Sequence, residues 1–261
     1  MKIVNKRPEK TADISSARNS ASEELIKLVI SAVLFIVILF FLIGFAVDLI
    51  VPRISIETEC RLFRFNDQEK PAASGTENTD PALKTASEIL KKFKSDPDVP
   101  DIDFRLIRIM EKKPNAFAIP GGTIGLTSGL LETLDKEIEL AFVIAHEIGH
   151  FRNRDHLRGL GRAAGFSVIM AVLFQSGPGI ESFAGIVSYT AQRHYSRERE
   201  EKADRYAVKL VHSIYGKTEG TERLFRILTE EHNIPEWAYM FSTHPSPEKR
   251  IEYMKEYSEK L

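Results

Sequence analysis

Hydrophobic and polar positions follow three patterns along this chain. The first is unbroken: residues 28–47, LVISAVLFIVILFFLIGFAV, carry no charge and are bracketed by Lys27 and Asp48. About 20 apolar residues in a helix cross a bilayer core, so one transmembrane helix is predicted. A signal peptide has a shorter apolar core nearer the N-terminus and ends in small residues. Here a polar segment precedes the run and DLIVPRISIE follows it, so a retained anchor is expected. The second pattern is helical. In ALKTASEILKKF, Leu83, Ala86, Leu90 and Phe93 share one face. The third reads as short strands: DFRLIRIM at 103–110, AFAI at 116–119 and TIGLTS at 123–128, parted by EKKPN and by Pro120-Gly121-Gly122. From Gly129 onward the pattern is mostly helical, interrupted at 176–180 and 241–247. The apolar run 163–174 is too short to span a bilayer and predicts a core helix.

Residues 66–81 are rich in Pro, Ser, Gly, Asn and Asp and read as linker. The expected organisation is a polar tail over 1–27, an anchor over 28–50, a linker over 51–81 and a folded domain over 82–261. Helix, small sheet, then helices predicts an α+β domain, mainly helical, with a small antiparallel sheet.

Charge and composition narrow the partners. Lys and Arg total 36 against 37 Asp and Glu, a net charge of -1, so no nucleic-acid partner is expected. Cys60 is the single cysteine, which excludes an intrachain disulfide and a cysteine-rich metal site. Lys2, Lys6, Arg7, Lys10, Arg18 and Lys27 precede the apolar run, whereas only Arg53, Arg61 and Arg64 follow it closely. The positive-inside bias therefore places the N-terminus in the cytoplasm and the large domain outside it.

The chemistry concentrates in AFVIAHEIGHFRNRDH, residues 141–156. On a helix His146 and His150, at i and i+4, project from one face, and both ring nitrogens can reach one zinc ion. Glu147 lies beside the first ligand, where it can take a proton from an attacking water and pass it to a leaving amine. Burying this Glu between two histidines in an apolar run is costly without a cation. Gly149 is a poor helix residue, by about 1 kcal/mol relative to Ala, unless something approaches the helix closely there.

Two residues compete to complete the site. His156 has the spacing of the third ligand in H-E-x-x-H-x-x-G-x-x-H sites, with Asn153 at the turn position. The rival is Glu200 in HYSREREEKADRYAVKL. There Arg197–Glu201, Glu198–Lys202 and Glu201–Arg205 pair opposite charges at i and i+4, but Glu200 and Asp204 pair like charges. That conflict disappears if this face meets a cation, with Glu200 binding it and Asp204 accepting a hydrogen bond from a ligand histidine.

HEIGH followed by SREREEKAD resembles the M48 family of zinc metallopeptidases, some of which are membrane-anchored quality-control proteases. NAFAIPGGTIGLTSGLL at 115–131 and STHPSPEKRI at 242–251 resemble further segments of that family, in the same order. The resemblance implies a zincin-like domain holding one zinc ion per chain. His146, His150 and Glu200 would be ligands, Glu147 the base, and Asp204 the hydrogen-bond partner of His146, with His156 a bystander. It also implies that His244 approaches the zinc, stabilising the oxyanion or filling the open position. Arg250 would anchor that loop or contact substrate.

The implied activity is endoproteolysis of unfolded or membrane-associated polypeptides. Asn115, Ala116, Phe117, Ala118 and Ile119 would form an edge strand beside the cleft, to which an extended peptide adds. The alternative is a non-catalytic holdase or assembly factor that binds chains at the same edge. A further one is a zinc hydrolase of a non-peptide bond.

Overall fold

A computed structural model describes residues 21–63, 81–112, 114–174, 197–217 and 257. The chain divides into two units, Met1–Gly44 and Phe45–Leu261. Helix α1, Ala21–Ile50, begins in the first unit and ends in the second. Its Leu28, Phe35, Phe41 and Leu42 are exposed, and Ser22–Arg53 is long and apolar enough to cross a membrane. Such a helix, apolar all round and exposed among the described residues, has the length and composition of a membrane span.

The second unit continues with a 3-10 turn at Val51–Arg53 and α2, Ile56–Phe63. The expected organisation placed these residues in the linker over 51–81, yet α2 carries the fully buried Glu59. Residues 64–80 lie outside the described residues. Helix α3, Pro81–Phe93, buries Leu83, Ala86, Ile89, Leu90 and Phe93, the face its periodicity predicts.

Three strands follow: β1 Arg105–Ile109, β2 Ala116–Ile119 and β3 Thr123–Thr127. Their order is β1-β3-β2. The class expected from the sequence holds, a mainly helical domain with a small sheet, but the sheet is mixed rather than antiparallel. β2 and β3 form an antiparallel hairpin, with Ala116 opposite Leu126, while β1 and β3 run parallel, with Arg105 opposite Thr123. The cause is the connection at 110–115, which carries the chain past one strand position. β2 becomes an edge and β3 returns between its two neighbours. Gly121 and Gly122 make that return with φ of 89° and 87°, a region other residues rarely adopt. All of β3 is buried, as befits the central strand.

Helix α4, Ser128–Thr133, is capped by the Thr127 hydroxyl, which accepts from the Leu130 N–H. Helix α5, Glu137–Asn153, runs through the core and is buried from Ile138 to Phe151. It packs against α3, β2 and α7, Arg197–Tyr215, while α6, Asp155–Phe174, follows it. Among the described residues α6 contains the apolar run 163–174, here as part of one longer helix.

Glu59 fastens this arrangement. One carboxylate oxygen accepts from the Gly121 N–H at 3.0 Å and meets His156 Nε2 at 2.7 Å; the other faces Arg154 Nη1 at 2.8 Å. Burial alone would raise its pKa, but the hydrogen bond and charge of His156, the Gly121 N–H and Arg154 outweigh it and hold the carboxyl below 4.5. Stability from a depressed carboxyl is complete above the unfolded value and lost as acid protonates the folded one. We therefore expect Glu59→Gln to cost about 1.5–3 kcal/mol at neutral pH, the worth of hydrogen bonds to a charged group. The deficit should shrink as pH falls below 4.5. Thermal melts of both chains across that range check this; equal midpoints at neutral pH contradict it.

Candidate functional site

The α5 helix places His146, Glu147 and His150 in the core, exposed by only 6%, 3% and 0%. The flanks of the helix are apolar and buried, so the polar trio is the exception in a dry setting. Glu147 sits one residue after one imidazole and three before the other, which puts it within roughly 100° of both around the helix axis.

The α7 helix supplies the facing side. Its Glu200 is 1% exposed and Asp204 fully buried. His146 Nε2 lies 3.0 Å from His150 Nε2, and Glu200 directs one carboxylate oxygen to each at 3.5 Å. Three donor atoms from His146, His150 and Glu200 thus fall within 4.8 Å of one another. Donors at about 2.0–2.1 Å from a tetrahedral zinc are separated by about 3.3 Å. The observed triangle is close to that size.

The remote ring nitrogens explain why the near ones converge. His146 Nδ1 lies 2.8 Å from Asp204, and His150 Nδ1 lies 3.1 Å from Asp155. With each Nδ1–H donating to a carboxylate, both Nε2 lone pairs point at one another and at Glu200. Lone pairs 3.0 Å apart repel unless a cation or a proton lies among them. Burial pushes the His146 imidazole down, but the hydrogen bonds and charges of Asp204 and Glu200 prevail and raise it to about 10. The donor set and its spacing therefore fit a divalent cation, which competes with that proton.

Helix–helix contact sets the distance across the site. A Cβ on Gly149 would lie 3.0 Å from Ala203 Cα and 3.2 Å from Ala203 O. The close approach that the glycine implied is the backbone of α7. Along α7, Glu198–Lys202 and Glu201–Arg205 pair on the exposed face at 2.7 and 2.6 Å. The like-charged Glu200 and Asp204 both turn inward to His146.

His156 stands apart from the donor cluster: its Nε2 goes to Glu59 and its ring lies 4.5 Å from that of Phe151. The left-handed turn after α5 falls at Arg154, φ 60°, and not at Asn153. The Arg154 side chain is held by Glu59 and by the Ile54 carbonyl, which keeps the chain in that conformation. Sequence reasoning missed Asp155, whose one signal was an Asp opening the helix after the turn. His244 and Arg250 lie outside the described residues. Residues Ala116–Ile119 form β2, which pairs with β3 alone among the described strands and packs on α5. Asn115 precedes it, its backbone tied to Thr127 by hydrogen bonds in both directions.

The profile of Peptidase family M48 matches residues 83–258. The chain is similar to a putative beta-barrel assembly-enhancing protease of Vibrio cholerae, 30% identical over 57% of this chain and 33% of that protein. It is also similar to the mitochondrial metalloendopeptidase OMA1 of Schizosaccharomyces pombe, 27% identical over 68% of this chain and 53% of that protein. A protease HtpX homolog of Aquifex aeolicus is 30% identical over 58% of this chain and 64% of its own length. The chain thus matches less than two thirds of each of these relatives.

Three substitutions test the geometry. Gly149→Ala forces α7 away from α5, and overpacking of this kind costs about 1–3 kcal/mol. Metal affinity should fall with stability, because Glu200 rides on the displaced helix; a chain as stable and as metal-loaded as wild type contradicts the contact. His156→Ala should lower the melting midpoint yet leave metal stoichiometry intact, whereas Glu200→Gln should lose metal. Elemental analysis of the purified chains reads the difference, and the opposite pattern makes His156 the ligand.

Proposed function

The chain belongs to peptidase family M48, and from that membership we propose that it is a membrane-anchored zinc endopeptidase acting on unfolded or membrane-associated polypeptides. The observation that carries the proposal is the convergence of His146, His150 and Glu200 on one buried point, with Glu147 beside them on α5. Two imidazoles and one carboxylate are a donor set of catalytic zinc sites that keep one position open. Zinc bound there would polarise the scissile carbonyl and lower the pKa of an attacking water.

The chain's own residues do the rest. Glu147 takes the proton from the water that attacks the carbonyl carbon and delivers it to the departing amine nitrogen as the C–N bond breaks. Asp204 accepts from His146 Nδ1–H and so keeps Nε2 available as a ligand. β2, the sheet edge that packs on α5, offers backbone N–H and C=O groups to an extended substrate. Main-chain pairing of that kind depends little on side chains and favours unfolded segments. The apolar α1 would hold the enzyme in the bilayer, and the charge bias around it favours a cytoplasmic N-terminus with the peptidase domain outside.

Glu147→Gln is the decisive variant. It should retain about one zinc per chain and lose cleavage of an unfolded casein-type substrate by about 10²–10⁴-fold, the usual worth of a general base. Undiminished cleavage would remove Glu147 from its role. Binding of unfolded protein that survives zinc removal, with no cleavage by wild type, would favour a holdase instead.

A further inference from the structure

His146 and His150 are supported from behind by different means. The partner of His146, Asp204, belongs to the helix that also supplies Glu200. The partner of His150, Asp155, opens α6, directly after the left-handed Arg154. Asp155 is fully buried, and its Oδ2 lies 3.1 Å from His150 Nδ1. A buried carboxylate so placed fixes the ring's tautomer and its rotation, provided the carboxylate is itself held.

Two arginines hold it. Asp155 Oδ1 faces Arg199 Nε at 3.4 Å and Arg158 Nη1 at 3.7 Å. Arg199 immediately precedes Glu200 on α7, so one helical turn both closes the donor triangle and supports the residue behind His150. Two guanidinium groups so close repel each other, and Arg162 adds a third. All three meet one acceptor: Asp48 Oδ1 lies 3.4 Å from Arg158 Nε and 3.5 Å from Arg199 Nη2, and its Oδ2 lies 2.6 Å from Arg162 Nη2. Asp48 is the residue that ends the apolar run of α1. Beside it a Cβ on Gly161 would come within 3.1 Å of Val47, so the end of α1 and α6 are in close contact where the charges meet.

We propose that Asp155 is a positioning residue for the metal-binding imidazole of His150, and that Asp48 holds Asp155 in place through Arg199 and Arg158. The inference rests on the reading of His146, His150 and Glu200 as a metal centre. It makes the first charged residue after the apolar run part of that centre's support. Loss of Asp48 removes the carboxylate that Arg158, Arg162 and Arg199 share, and their mutual repulsion then acts on the carboxylate behind His150.

The test uses the full chain in detergent micelles. Zinc affinity is measured by competition with a chelating indicator, and the geometry of the site by the visible spectrum of the cobalt-loaded protein. Asp155→Asn keeps the side chain's size. It should weaken zinc by about 10–100-fold, the usual effect of losing such a partner, and alter the cobalt spectrum. Asp48→Asn, at a half-exposed position that tolerates substitution, should shift both readouts in the same direction by a smaller factor. In the Asp155→Asn background it should add nothing. A purely structural role for either residue would lower the melting midpoint and leave affinity and spectrum alone, which overturns the proposal. Wild-type affinity in Asp155→Asn overturns it for His150, and wild-type affinity in Asp48→Asn overturns the part assigned to Asp48. A wild-type chain that binds no zinc sinks the metal-centre reading itself, and the inference with it. That outcome is visible before any variant is compared.

Discussion

The contact between α5 and α7 at Gly149 and Ala203 is the constraint on which the site depends. Backbone meets backbone there, with 3.0 Å between the position of an absent Cβ and Ala203 Cα. A larger residue there would require the neighbouring helix to give by a few tenths of an ångström, so the two helices are in close contact at this point. That closeness brings Glu200, less than one turn from Ala203, within reach of imidazoles projecting from the other helix. The roughly 1 kcal/mol that a glycine costs inside a helix is small beside what the core recovers. Ala141, Ile144, Ala145, Ile148, Ala207 and Val211 are all fully buried around the contact.

Within that dry frame electrostatics determine what the site accepts. His146, Glu147, His150, Asp155, Glu200 and Asp204 are buried together, so four carboxyl groups share the interior with two imidazoles. Such a set is unfavourable as a bare core. Asp155 answers to arginines at the protein's edge, and Asp204 answers to His146. Glu200 faces two ring nitrogens whose own donors are turned away, which leaves a positive charge as the natural occupant of the space between them. His146, His150 and Glu200 are therefore arranged as a set that could hold a cation, while Asp155 and Asp204 pair with side chains behind them.

Much of this was legible from residue order. HEIGH pointed to two candidate metal ligands because helical spacing alone puts i and i+4 on one face, and the two imidazoles do lie together with Glu200. Glu200 and Asp204 stood out because the neighbouring pairs Arg197–Glu201, Glu198–Lys202 and Glu201–Arg205 obeyed the opposite-charge pattern that they broke. Asp155 was not legible, since an Asp opening a helix already has an explanation as a capping residue. The left-handed Arg154 was hidden for a related reason. Local propensity favours Asn153, and the tie from the Arg154 side chain to Glu59 spans nearly a hundred positions of sequence. The parallel pairing of β1 with β3 was lost in the same way. Short connections suggest hairpins, and only the sheet order β1-β3-β2 shows which neighbour the strand takes.

The segment after the apolar run follows from these constraints. The expected organisation placed Asp48 in the anchor and Glu59 in the linker, yet both carboxylates have defined partners. Asp48 gathers Arg158, Arg162 and Arg199, while Glu59 gathers Arg154, His156 and the Gly121 N–H. The first set leads through Asp155 to His150, and the second grips the turn that ends β2. Both sets join at the start of α6, where Arg154, Asp155 and His156 are consecutive and all held. A tether needing only length would carry neither carboxylate, and burying Glu59 completely would be an unfavourable way to build one. The segment is better understood as a brace, fixing on one side an imidazole of the donor triangle and on the other the strand edge that a peptide would extend.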